Sequence, residues 1–157
     1  MPDVPDTIRL LLFEDPPADA HALLRAIAAT GLTCESRVVD TRQALVTALT
    51  EFRPDVVIAD ARVPETAGPA IVRLVTERAP AVPVIVIGAT EAEEAVACLK
   101  AGAADCLATS SARFAPAITE AIVGHRRRRV QQRMVEAIEH VSEAVLVADA
   151  HGTIEYA

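Results

Sequence analysis

A chain of 157 residues, 52% hydrophobic and 24% charged, can build one buried core with a short appendage, which argues against disorder of the whole chain and leaves little room for two domains. No apolar run reaches the roughly 18 residues a membrane helix needs, and the start, MPDVPDTIRL, lacks the regions of a secretory signal, so a cytoplasmic protein without a membrane role is expected. The net charge is −7, with 10 basic and 17 acidic residues before His125 and five of each from there on; the body has no basic face for nucleic acid, and the only dense positive charge is Arg126 to Arg129 with Arg133.

Short apolar runs alternate with segments of helical period, the pattern of a parallel sheet covered by helices on both faces. Strands are expected over residues 8–13, 33–39, 55–59, 82–87 and 105–107. Helices are expected over 18–30, 41–52, 67–78 and 91–101, with a fifth from about 111 to about 140. Gly31 follows the first helix as a C-terminal cap, Pro54 opens the third strand, and Pro80 and Pro83 separate the third helix from the fourth strand. In the second half of the fifth helix Val130, Met134, Ala137 and Val141 recur at +4, +3, +4, the period of a two-stranded coil; the same residues would equally dock on the chain's own body. Residues 144–156, AVLVADAHGTIEY, alternate around a His-Gly turn and predict a hairpin. A lone hairpin is marginal in water, so the chain reads as a piece of something longer.

Cys34, Cys98 and Cys106 are odd in number and lie in apolar surroundings, which suits reduced buried thiols. The four histidines show no zinc-site spacing. Chemistry in an open parallel sheet gathers at the carboxyl ends of strands. There Glu14 and Asp15 follow the first strand and Asp60 ends the third. Three carboxylates held together repel, and oxygen donors of this hardness suit magnesium. A carboxylate beside such an ion can also accept a phosphoryl group. The alternative, equally open on spacing alone, is that these acids are turn and capping residues.

The chain resembles the receiver domains of two-component response regulators over about residues 7–122. The resemblance rests on Glu14-Asp15 after strand one and on PDVVIADARVPETAG, where Asp60 is followed by Pro64 and Gly68. PVIVIGA and the turn AGAADCL complete it. It implies a five-stranded, doubly wound, flavodoxin-like α/β fold of strand order 2-1-3-4-5. It also implies that Asp60 is the phosphoryl acceptor from a histidine kinase or phosphotransfer protein. Magnesium would be held by Asp15, by Glu14 mostly through water, by Asp60 and by the backbone carbonyl of Arg62.

The sequence departs from the family at two polar positions. Gly88 stands where strand four ends in Thr or Ser, with Thr90 two residues on as the candidate hydroxyl. Thr109 and Ser110 stand where strand five ends in Lys-Pro, and the chain's only lysine, Lys100, is at the end of helix four. Cys106 occupies the place of the aromatic switch residue. Losing both partners removes two contacts to the phosphoryl group, each worth about 1 to 3 kcal/mol. Two readings follow: a phosphoaccepting receiver, or a degenerate receiver that acts as a dimerisation or protein-binding module. A small flavin or nucleotide protein of the same order is disfavoured, because EDPPADA after strand one offers prolines and acids instead of a phosphate loop.

The tail from residue 142 resembles the opening strands of a PAS domain. The domains expected are a receiver at 7–124, a helical linker at 125–141 and the start of a PAS-like domain at 142–157. A receiver joined to PAS by a long helix implies hybrid histidine kinases or diguanylate cyclases, so this chain would be the regulatory part and the enzyme would lie elsewhere in the parent. A homodimer through the C-terminal helix is expected.

Overall fold

Five strands and five helices alternate as β1 (Ile8–Phe13), α1 (Pro17–Ala28), β2 (Cys34–Val39), α2 (Arg42–Glu51), β3 (Val56–Asp60), α3 (Gly68–Arg78), β4 (Val84–Ile87), α4 (Ala92–Ala101), β5 (Asp105–Leu107) and α5 (Phe114–Ala150). The computed structural model describes residues 4–15, 17–64 and 66–150, with side chains over the same ranges except 17–19 and 140–150. All strand pairs are parallel and the order is β2-β1-β3-β4-β5, as expected.

Alternation along the strands sorts the core into two layers. Leu10, Leu12, Ile58, Ile85 and Ile87 face one side, where Leu23 and Ile27 of α1 and Phe114, Ile118 and Ile122 of α5 cover them. Leu11, Phe13, Val57, Ala59, Val84 and Val86 face the other, against Leu45 and Leu49 of α2 and Ile71 and Val75 of α3. Because both faces of β3 and β4 are covered, every residue of these strands is buried and the sequence reads as unbroken apolar runs. The edges differ. β2 exposes Glu35, Ser36 and Arg37, and β5 is three residues long, which suits strands that must not recruit a further chain.

Local chemistry fixes the helix ends. The Thr41 hydroxyl accepts from the Ala44 backbone N–H at 3.2 Å and caps α2. Gly102 closes α4 in the left-handed conformation, φ +113°. A Cβ at Gly68 would lie 2.9 Å from the Cys98 sulfur, so glycine lets α3 and α4 approach.

The chain divides into two units between His125 and Arg126. In the first, the His125 Nε2 lies 2.7 Å from the Pro80 carbonyl. In the second, Val130, Met134, Val135 and Ile138 are exposed large apolar residues, and Ala137 is exposed as well; the side chain of Val141 lies outside the described residues. The structure corrects the tail. Residues 144–150, expected to form the first strand of a hairpin, are the last turns of α5. Three alanines and a leucine among these seven residues are good helix formers, and extending an existing helix adds a hydrogen bond per residue without a new nucleus. Residues 151–157, with the predicted turn and second strand, lie outside the described residues. Among the described residues no helix is long and apolar enough to cross a membrane.

Candidate functional site

The strand order reverses between β1 and β3. One leads outward to β2 and the other to β4, so α1 and α3 lie on opposite faces and leave a crevice over the carboxyl ends of β1 and β3. Asp60 ends β3, and Glu14 follows β1, one residue beyond the last registered pair, Phe13 with Ala59. Their side chains are the buried charged groups among the described residues, with 2% of Glu14 and 4% of Asp60 exposed. Asp15 is exposed. Backbone bonds pin both ends: the Glu14 N–H donates to the Val39 carbonyl at 3.0 Å, and the Ala61 N–H to the Ile87 carbonyl at 2.9 Å.

Asp60 is held by one residue through three donors. The Arg62 backbone N–H and Nε donate to Oδ1 at 2.8 and 3.0 Å, and Nη2 donates to Oδ2 at 2.6 Å. This is a forked, charge-assisted pair on a carboxylate only 5% exposed, while the arginine side chain is half exposed. Gly88, in the left-handed region at φ +72°, sits against it. A Cβ there would lie 2.7 Å from Asp60 Oδ1 and 2.8 Å from Arg62 Nε. The missing hydroxyl position and the seated guanidinium therefore belong together: any side chain at 88 would collide with the arginine in this pose.

A cavity of about 300 Å³ adjoins this pair, lined by Glu14, Arg62, Ile87, Thr109 and the α1 residues Leu23 and Ala26. It brings Glu14, Arg62 and Thr109 to one opening. Thr90, the candidate hydroxyl, is exposed in the loop after Gly88. On the next strand the Cys106 thiol contacts the Ala95 carbonyl at 3.6 Å. Burial first, then the Cys98 thiol and Asp105, push it up to about 11.

The oxygen donors Glu14, Asp60 and the Arg62 carbonyl suit a hard divalent cation by their chemistry. In this pose the Arg62 guanidinium takes the Asp60 share of that donor set. Both Asp60 oxygens carry the guanidinium, and among the described residues no three acidic, histidine or cysteine side chains gather as a metal cluster. The sequence pattern named the Arg62 carbonyl and missed its side chain. The signal was there in combination: an arginine two residues past Asp60, with Gly88 in place of a hydroxyl residue after β4.

Residues 10–113 match the response regulator receiver domain family. The chain is 32% identical over 116 residues to the DNA-binding transcriptional regulator NtrC of Salmonella typhimurium, covering 73% of this chain and 24% of the relative, so the chain spans about a quarter of the curated relatives it matches. In fold it resembles a response regulator receiver domain protein from Clostridium thermocellum (TM-score 0.66, 23% identity, 79% of this chain and 98% of that one). It also resembles the receiver domain of a sensor histidine kinase from Pseudomonas aeruginosa PAO1, described with a magnesium ion coordinated in its active-site cleft (TM-score 0.62, 24% identity, 74% and 98%). With the matched residues running from β1 to the start of α5 and the acids at the sheet's switch point, the chain belongs to the receiver domain family of two-component signalling.

Proposed function

We propose that this chain is a regulatory module whose Asp60 accepts a phosphoryl group from the phosphohistidine of a histidine kinase or phosphotransfer protein in the cytoplasm. The observation that carries the reading is a buried aspartate at the carboxyl end of the central β3, beside buried Glu14, at the point where the strand order reverses. An Asp60 oxygen attacks phosphorus, the P–N bond of the donor breaks with its electron pair passing to the imidazole nitrogen, and an acyl phosphate is left on Asp60. Magnesium, when bound by Asp15, Glu14, Asp60 and the Arg62 carbonyl, would neutralise the added charge. For Asp60 to receive either group, Arg62 Nη2 must leave Oδ2.

The acyl phosphate would regulate an output carried by a longer parent, a PAS domain with a histidine kinase or diguanylate cyclase. The PAS reading stands on the sequence pattern alone. We also propose a homodimer through α5, supported by exposed Val130, Met134 and Ile138 at four-residue spacing. A chain cut after Gly124 that sediments as the same dimer as the full chain would sink that proposal.

The test of phosphoryl acceptance is beryllofluoride with magnesium, titrated calorimetrically into this chain and into Asp60→Asn. Saturable binding that the substitution abolishes is the expected result; no binding to either protein overturns the reading. The second reading, a degenerate receiver that works through protein contacts alone, is favoured by Gly88, by Thr109 and by the arginine already on both acceptor oxygens.

A further inference from the structure

Asp60 is a carboxylate already provided with a cation. The Nε and Nη2 of Arg62 take one oxygen each, and the arginine backbone N–H adds a second donor to Oδ1. The planar fork matches the carboxylate edge, so an incoming cation meets a guanidinium nitrogen on each oxygen. Two features make this seat specific to the chain. Gly88 leaves the space beside Nε, where a Cβ would come to 2.8 Å. Thr109, at the opening of the same cavity, brings no second positive charge to repel the guanidinium, and Lys100 is on α4.

We propose that the Arg62 guanidinium is a tethered counter-cation that sets the cation affinity of the acidic site: a divalent ion binds Asp60 only by displacing it, and Gly88 is what allows it to sit there. The inference rests on the reading of Glu14 and Asp60 as a divalent-cation site, and it adds to that reading the residue that opposes the ion. A metal at Asp60 would stand within a few ångströms of a fixed positive charge, in surroundings where burial of the carboxylate limits solvent screening. The arginine side chain is half exposed, so it has solvent to swing into. Apparent affinity is then the intrinsic affinity multiplied by the fraction of molecules with the guanidinium away. A seat occupied 90 to 99% of the time weakens binding by about 10- to 100-fold.

Arg62→Gln removes the charge and the fork, keeps the backbone carbonyl and a polar side chain, and touches a half-exposed position, so the fold survives. The experiment titrates magnesium alone into the full chain, Arg62→Gln, Asp60→Asn and the double variant. Calorimetry gives the affinity, and the amide resonances of Ala61 and Gly88 and the Arg62 Nε–H resonance report the site. The expected result is binding at least ten-fold tighter in Arg62→Gln than in the native chain, lost in both proteins lacking Asp60. The Arg62 Nε–H signal of the native chain should move toward its solvent position both at saturating magnesium and in Asp60→Asn. Equal affinity in the native chain and Arg62→Gln, abolished by Asp60→Asn, would overturn the proposal and leave the divalent site standing. Absence of binding in the native chain and Arg62→Gln alike would overturn both. Tighter binding that persists in the double variant would place the ion elsewhere and also overturn the proposal.

Discussion

The two halves of the sheet's carboxyl edge stand differently against the family pattern. At the ends of β1 and β3 the acids are in place, and two of them are buried. At the ends of β4 and β5 the polar partners are gone, replaced by Gly88 and by exposed Thr109. The acidic half does not stand uncompensated, because Arg62, which leaves β3 two residues after Asp60, reaches back and takes the space on the β4 side. A buried carboxylate needs a countercharge or donors. When the neighbouring strands stop supplying them, the nearest arginine with room to turn does so.

The strongest way to break this contrast is to restore the hydroxyl. Gly88→Thr puts a β-branched residue at φ +72° and a Cβ 2.7 Å from Asp60 Oδ1 and 2.8 Å from Arg62 Nε. Strain and the ejected guanidinium together should cost about 2 to 4 kcal/mol in urea unfolding. Pairing it with Arg62→Ala removes one of the two clashes, so the double variant should be less destabilised than the sum of the singles by about 1 kcal/mol. Strict additivity would mean that the glycine and the arginine are unrelated.

A second test fills the other position. Thr109→Lys places an ammonium at the mouth of the cavity that Glu14 and Arg62 line. If the β5 end lacks only the cation, beryllofluoride should bind the variant about ten-fold more tightly, the worth of one charge-assisted contact. Unchanged binding would show that Arg62 already serves as the phosphoryl group's cation, and would erase the difference between the two halves.

The strands were legible because the runs IRLLLF, VVIAD and VIVI are apolar almost throughout and do not alternate as amphipathic strands do, whereas their order followed from the resemblance to receiver domains and not from the runs themselves. The fourth strand starts later than its apolar run because the Val82 N–H closes a turn onto the Ala79 carbonyl, so Val82 precedes the ladder. The tail misled for a physical reason. In residues 144–150 the same alternation of valine and small residues fits a helix once one is already running into it. Spacing put Glu14, Asp15 and Asp60 at the ends of strands one and three, where they stand, but could not separate the buried acids from the exposed one. That depends on which way each backbone leaves the sheet. The arginine was legible only in combination with a residue distant in sequence: its pose requires a left-handed glycine at the end of another strand to vacate the space it fills.

The smallest expected effect concerns the chemistry left at the β5 end. Cys106 stands at the family's aromatic position, and its thiol is pushed from the ordinary 9.0 to about 11, first by burial and then by the Cys98 thiol and Asp105. Burial first, with help from Glu94, raises Cys98 as well. Below pH 9 both folded and unfolded chains keep the proton, and the stabilisation from a neutral, half-buried thiol is fully present. Between about 9 and about 11 the unfolded chain releases the proton while the folded chain holds it, so this contribution falls as pH rises and is gone above the folded value. The thiolate is the nucleophile. At pH 8, therefore, iodoacetamide should label Cys106 of the folded chain at least ten-fold more slowly than in urea, followed residue by residue by mass spectrometry. Equal rates would mean an open, ionisable thiol, and the β5 end would then carry a reactive group of its own, leaving Arg62 no longer the sole new charge chemistry at this edge among the described residues.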